Sequence, residues 1–431
     1  MRSEESHEQA MGRVSREVWF LFSAYVAFLI LLPAGSVFGV NVKVLTFLPL
    51  LVIVLRMSLR EARALVQATV WATVIALFVG WVILSQFYPT FDGYLALGQF
   101  KDVITTLAGC WFVRVLTRAE ADKRAFVRLV LCVTAIGCLL KGFIFVYSLK
   151  SGVSVSDIMD RVSLLFGVKL MTADLGDTSV RLQFTSDNLL PACLFALLCL
   201  RKKLRIGAVA GVVMMVLLLM SALYTFSRYL WATAAVAVVL GIVVAKRDRL
   251  HWLYLGVSGA ATAIFFPVIS TLVAFRFSNE LVESSDVVRV DQVRALQAFF
   301  WDAPWFGHGL GSYTTDVIRS VDVPYNYEVQ LLALAGQVGL VGMAVFLVLL
   351  VNYYRKAFSF GPGGWGYQFS VLTLLGCFIV AALFNPTLLS SMSAAIFGFL
   401  YVLAGLGHCQ GEAVEEPVSA RPARFVMLRS N

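Results

Sequence analysis

The chain has 431 residues, of which 59% are hydrophobic and only 14% charged, with a mean hydropathy of +0.82. Soluble domains carry roughly 25% charged residues, so a water-soluble globular enzyme is excluded. The net charge of +9 comes from 35 Lys and Arg against 26 Asp and Glu, and the bases stand in short clusters between apolar runs, which sets aside a nucleic-acid partner needing a basic face in water.

Residues 1–18 are polar and mixed in charge, unlike a cleaved signal peptide, and are expected to form a cytosolic tail. Apolar runs follow, and a helix of roughly 17–25 apolar residues crosses the hydrocarbon core with its backbone polar groups satisfied internally. Twelve spans are predicted, at 19–38, 42–56, 65–87, 101–116, 125–148, 187–200, 205–225, 229–245, 251–274, 328–353, 367–386 and 389–407. The expected fold is all-α: a polytopic membrane protein with one transmembrane domain over 19–407, periplasmic loops at 149–186 and 275–327, and a second cytosolic tail at 408–431.

Orientation follows from the bases in the short loops. With the amino terminus inside, every cytoplasmic segment is basic: Arg56, Arg60 and Arg63; Arg114, Arg118, Lys123 and Arg124; Arg201, Lys202, Lys203 and Arg205; Lys246, Arg247 and Arg249; Arg355 and Lys356; and the carboxy-terminal arginines. The outside loops at 39–41, 88–100 and 387–388 contain no Lys or Arg. Six of the seven cysteines lie in apolar runs, so no disulfide framework is expected.

The two long outer segments hold the informative polar residues, and connections of this length are usually functional. Val290, Val293, Leu296, Phe299 and Phe300 recur at helical spacing with Asp291, Arg294 and Gln297 off the stripe. That pattern reads either as an amphipathic helix on the bilayer face or as a packing helix. Arg181 precedes a span, Arg228 stands in a very short junction between two apolar runs, and Arg289 stands in the second outer segment, ahead of the stretch 304–311. An arginine at the membrane boundary facing a bundle is a site hypothesis, and its planar fork suits phosphate or diphosphate. His308, flanked by Gly307, Gly309 and Gly311, is the sole histidine assigned to the outside and hence a candidate base. Acidic groups such as Asp174 with Asp177, or Glu280, Glu283 and Asp286, lack convincing metal-ligand spacing, and no metal or cofactor is expected.

Three motifs together resemble the O-antigen ligase and O-antigen polymerase family of bacterial inner-membrane glycosyltransferases. They are Arg181 running to Asn188 before a span; Ser227-Arg228 at a helix start; and Arg289 followed by Pro304-Trp305-Phe306-Gly307, Asn326 and the glycine-rich run Gly336 to Gly342. The resemblance implies transfer of a glycan from undecaprenyl diphosphate to a sugar hydroxyl on the periplasmic side, without metal or nucleotide sugar. Arg181, Arg228 and Arg289 would bind the diphosphate, Arg181 and Arg289 stabilising charge as the anomeric bond breaks. It also implies a flippase and a chain-length regulator as partners, beside membrane lipid.

Where the family has a His before the Asn, this chain has Tyr325 before Asn326. A phenol with an ordinary pKa near 10 is a poor base at neutral pH. Either Tyr325 positions the acceptor, or His308 or Glu328 is the base, or the leaving diphosphate makes strong base assistance unnecessary; Asn326 and Glu328 are further positioning candidates. The leading expectation is a polymerase of lipid-linked repeat units for O-antigen or exopolysaccharide. A ligase acting on lipid A-core is the first alternative, and a lipid-linked oligosaccharide flippase the alternative from another class.

Overall fold

The computed structural model describes residues 14–407, apart from 33–35, 38–39, 61–63, 167–170, 175–179, 246–278 (where only 252, 256, 259 and 270 are described), 359 and 361–363. Both predicted tails beyond 13 and 407, and nearly all of the predicted span 251–274, lie outside the described residues. Thirteen α-helices lie within them: α1 Arg16–Leu31, α2 Val42–Leu59, α3 Ala64–Ser85, α4 Gly93–Leu116, α5 Glu120–Ser151, α6 Val155–Phe166, α7 Leu190–Leu200, α8 Ala208–Tyr224, α9 Arg228–Val244, α10 Asn279–Asp302, α11 Gln330–Tyr354, α12 Trp365–Ala381 and α13 Ser391–Leu406.

The all-α expectation holds for the bundle and is corrected at two small antiparallel hairpins. β1 (Ser36–Val37) pairs with β2 (Val40–Asn41), and β3 (Met171–Asp174) pairs with β4 (Val180–Gln183). Among the described residues, four helical stretches are long and apolar enough to cross a bilayer alone, namely Val42–Leu59, Ala68–Ser85, Glu120–Ser148 and Gln330–Tyr354. Five shorter apolar ones, Thr185–Leu200, Ala208–Tyr224, Arg228–Val244, Trp365–Ala381 and Ser391–Leu406, accompany them. The shortest bundle helix, α7, follows a 3-10 turn at Thr185–Leu189 and is almost wholly buried, so its apolar residues meet protein.

α4 begins at Gly93, eight residues before the predicted start at 101, so most of the expected outer loop 88–100 is helix. The Asp92 carboxylate caps it, accepting from the N–H groups of Tyr94 at 2.7 Å and Leu95 at 3.4 Å. Gln99, Lys101 and Asp102 break the apolar run there and conceal its helical continuity.

The core is built around α13, whose residues are buried from Met392 to Leu406 except for Tyr401. Small residues let it approach α4 closely: a Cβ at Gly109 would sit 2.6 Å from that of Ala394, and one at Gly398 would sit 2.6 Å from Val113 Cγ2. Helices in lipid associate through such packing. α3 turns Val66, Val70 and Ile83 outward, an apolar surface suited to acyl chains.

The bundle has two chemically distinct ends. At one, Lys123 pairs with Glu120 at 2.9 Å, and Lys203 donates to the carbonyl of Leu406 at 2.8 Å, which gathers the α4–α5 and α7–α8 turns and the end of α13. These are the turns read from sequence as cytoplasmic. The opposite end carries the outer segments and the α3–α4, α8–α9 and α12–α13 turns.

Candidate functional site

The centre of the opposite end is a break in α11. Gly339 has φ 65° and ψ −173°, a conformation essentially reserved for glycine. The break removes the ladder bonds that Leu340 and Val341 N–H would make to the carbonyls of Gly336 and Gln337. All four groups are satisfied by the segment after α10. Leu340 N–H donates to Pro304 O at 2.9 Å and Val341 N–H to Trp305 O at 3.0 Å; His308 N–H donates to Gly336 O at 3.0 Å and Gly309 N–H to Gln337 O at 2.8 Å. Residues 304–309 are thus a backbone strap inserted into a helix, and irregular backbone at membrane depth is tolerated only when so satisfied.

The glycines are what permit this approach. A Cβ at Gly307 would overlap the backbone of Gln337, and one at Gly339 the carbonyl of Trp305. Side chains tie the strap to α3 and α4: Trp81 Nε1 donates to Phe306 O at 2.8 Å, Gly311 N–H donates to Gln99 Oε1 at 2.6 Å, and Gln99 Nε2 donates to Gln337 Oε1 at 2.6 Å.

His308 is buried within this strap. Its ring stacks on Phe299 with centroids 4.0 Å apart and has Tyr88 at 4.5 Å. Nε2 lies 3.0 Å from the Asp302 carboxylate and Nδ1 3.2 Å from Gly336 O, so both ring nitrogens face acceptors on the protein. The predicted amphipathic stripe proves to be one turn-by-turn face of α10, which packs on α11 with Leu296 buried and Phe299 over Gly336. Val290, counted in that stripe, is 47% exposed.

Arg289, on α10, donates from Nε to Glu328 Oε2 at 2.9 Å. One turn on, buried Gln292 accepts the N–H of Glu328 through Oε1 at 3.0 Å, fixing the backbone from the same helix. Arg319 reaches the other oxygen, Oε1, at 3.2 Å through Nη2. Arg319 is a residue that the sequence reading does not single out, since nothing in its local spacing separates it from the other charges of the segment 275–327.

Tyr325 and Asn326 stand in the same loop, both half-buried. The Tyr325 hydroxyl lies against α4, 3.4 Å from where a Cβ on Gly98 would be. Burial foremost, and then the charge of Asp102 and the neighbouring Tyr94, push its pKa up to about 12. It is therefore a neutral hydroxyl throughout the physiological range.

Arg228 is the first residue of α9, after a three-residue reversal from α8. Ser227 caps the helix, accepting from Leu230 N–H at 3.4 Å, and buried Phe226 takes φ 46° to make the turn. A cation at the positive pole of a helix dipole is locally unfavourable. Arg181 lies in β4, opposite Ala173. Asn188, five residues after the end of that strand, lines one crevice with Tyr229 and Cys377.

The end of α12 away from the basic turns connects these parts. Tyr229, next to Arg228, donates its hydroxyl to Cys377 O at 2.9 Å. Leu331 N–H, three residues after Glu328, donates to Ala382 O at 3.0 Å. The segments bearing Arg181, Arg228 and Arg289 therefore share one end of the bundle. Lys141, an ionisable residue inside a predicted span, forms a buried ion pair with Asp187, which also accepts from Phe184 N–H at 2.7 Å. That pair pins the turn between β4 and α7. Among the described residues no group of three or more His, Cys, Asp or Glu side chains is set to hold a metal ion.

Comparison with known protein families gives a match to part of the chain. Residues 213–347, from within α8 to within α11, fit the family model described as O-antigen ligase. The matched stretch contains Arg228, Arg289, the strap, Tyr325 and Glu328, while Arg181 precedes it. No curated protein and no solved structure matches the chain significantly.

Proposed function

We propose, for a chain whose residues 213–347 match the O-antigen ligase family model, that it joins lipid-linked repeat units of a surface polysaccharide. The donor is a glycan on undecaprenyl diphosphate in the bacterial inner membrane, the acceptor a sugar hydroxyl of the next lipid-linked unit. The observation that carries this reading is the holding of Arg289 against Glu328, within the family-matched stretch, at the end of the bundle away from the basic turns. By the positive-inside rule the basic end faces the cytoplasm and the arginines face the periplasm, where an anionic carrier would present its diphosphate.

In this mechanism Arg181, Arg228 and Arg289 bind the diphosphate, and Arg181 and Arg289 offset the charge that develops as the anomeric bond breaks. Tyr325, protonated at neutral pH, orients the acceptor by hydrogen bonding, with Asn326 beside it. His308, its ring engaged on both sides, holds the strap and so the position of the loop that follows. A ligase pattern with a His at 325 would place a base there. Tyr325, held protonated by burial, does not supply that base, and the missing His supports the polymerase reading.

A transporter reading would use the broken helix α11, since half-helix ends line ion sites in many carriers. Here the freed backbone groups are all taken by the strap, which leaves them unavailable to an ion.

The separating experiment supplies both acceptors to membranes containing the protein. Chain growth on lipid-linked units is expected; single-unit transfer to lipid A-core without growth would make it a ligase. Arg181→Ala, Arg228→Ala and Arg289→Ala are each expected to abolish polymer with the protein still in the membrane. Wild-type polymer from the Arg289 variant would remove that residue from the site. Tyr325→Phe is expected to lower turnover by about tenfold, the effect of one lost neutral hydrogen bond.

A further inference from the structure

Arg319 has no part in the reading above, yet it shares one carboxylate with Arg289. The two guanidinium groups take different oxygens of Glu328, Oε2 at 2.9 Å and Oε1 at 3.2 Å. The side chains of Arg289, Arg319 and Glu328 are 25%, 29% and 22% exposed, so the cluster is ordered by its surroundings but remains open to a ligand. Its backbone is fixed separately, because Gln292 holds the Glu328 N–H whatever the carboxylate does.

Two guanidinium forks around a single carboxylate carry one positive charge in excess. A diphosphate ester brings more charge and more acceptor oxygens than a carboxylate, and arginine grips such oxygens bidentately. Ion pairs open to solvent are weak, so the intramolecular carboxylate is a partner that a diphosphate outcompetes. After exchange, Glu328 remains tethered at its backbone, beside the bound anion, with its oxygens released from both arginines.

We propose that Arg319 joins Arg289 as a further diphosphate-binding arginine, and that Glu328 is a counter-ion which the donor displaces to become the base for the acceptor hydroxyl. The donor then has to bind before the acceptor is activated. In the transfer step the acceptor oxygen bonds to the anomeric carbon. The bond from that carbon to the diphosphate oxygen breaks, its electron pair leaving on undecaprenyl diphosphate, and the hydroxyl proton passes to Glu328. This rests on the glycan-transfer reading of the same site, and supplies the base that reading leaves open.

The test uses the full chain in lipid nanodiscs, with undecaprenyl diphosphate as the binding probe and a lipid-linked repeat unit for turnover. Glu328→Gln is expected to bind the probe at least as tightly as the wild type, because the competing charge is gone. Its turnover should fall by about 10²–10⁴-fold, the usual worth of a positioned base. Glu328→Asp, which keeps the carboxylate, should recover part of that loss. Arg319→Ala should weaken probe binding about tenfold, with Arg319→Lys intermediate because a point charge replaces a fork. Weaker probe binding by Glu328→Gln, turnover in that variant within about threefold of wild type, or wild-type binding by Arg319→Ala would overturn the proposal. A wild-type protein that binds the probe but transfers no glycan would refute the underlying reading instead, which keeps the two failures distinguishable.

Discussion

The two segments that leave the bundle at its polar end are anchored by different physics. The first, from Gly152 to Leu189, returns to the bundle through a buried charge pair, Lys141 with Asp187, and a small apolar cluster of Val155, Met159 and Leu182. The second, from α10 to α11, is anchored chiefly through backbone, by four hydrogen bonds exchanged with a helix opened at Gly339, with Trp81 and Gln99 tying it to α3 and α4. A charge pair fixes a point and leaves the hairpin carrying Arg181 to its own pairing. A backbone strap fixes direction along several residues, and it is on this side that α10 and the loop after it must hold Arg289, Arg319, Tyr325 and Glu328 in mutual register.

Breaking each anchor gives a graded set of expectations. Gly339→Val should be the most damaging, because a side chain at that φ and ψ is strained and would overlap the strap carbonyl of Trp305. A loss of about 5 kcal/mol or more is expected, as for other large backbone and overpacking effects, seen as absence of a monodisperse protein after extraction. Gly80→Ala is its control: nothing lies within 4 Å of a Cβ there, and thermal stability should be unchanged or slightly raised. Lys141→Ala comes next. Leaving Asp187 buried without its partner should cost about 3–5 kcal/mol, and a double apolar replacement of the pair should restore most of it. Equal melting temperatures for the single and double variants would show that the pair does not anchor the first segment. Asp92→Ala, which removes only the cap of α4, should cost about 1 kcal/mol, measured as a small fall in the thermal midpoint with polymer formation retained.

Much of this was legible from the sequence because hydrophobic length and the basic turns are read directly from composition along the chain. The grouping of the Lys123, Lys203 and Leu406 regions at one end follows that pattern. Helix α10 was legible too, through the spacing of Val293, Leu296 and Phe299, although whether it lay on lipid or on protein was decided by Gly336, forty residues on from Leu296 in sequence and beneath Phe299 in space. The glycines of the strap and of α11 were visible as motifs, but their meaning was not. Each run admits ordinary turns or close packing, and only their juxtaposition shows that one opens a helix to receive the other. Arg319 was illegible for a similar reason: a solvated arginine and one sharing a carboxylate with Arg289 have the same local sequence, and the contact that distinguishes them spans the loop. Asp187 likewise gave no sign that Lys141 would find it across two helices and a hairpin.

The central claim is that this polar end transfers a glycan from a lipid diphosphate. Its most direct measurement is reconstitution of the purified chain in liposomes with an undecaprenyl-diphosphate-linked repeat unit as the sole substrate, resolving products by size. A ladder of lengthening lipid-linked glycans with release of undecaprenyl diphosphate, lost on Arg289→Ala, is the predicted result. Unchanged substrate, or its movement between leaflets without any new glycosidic bond, would contradict it.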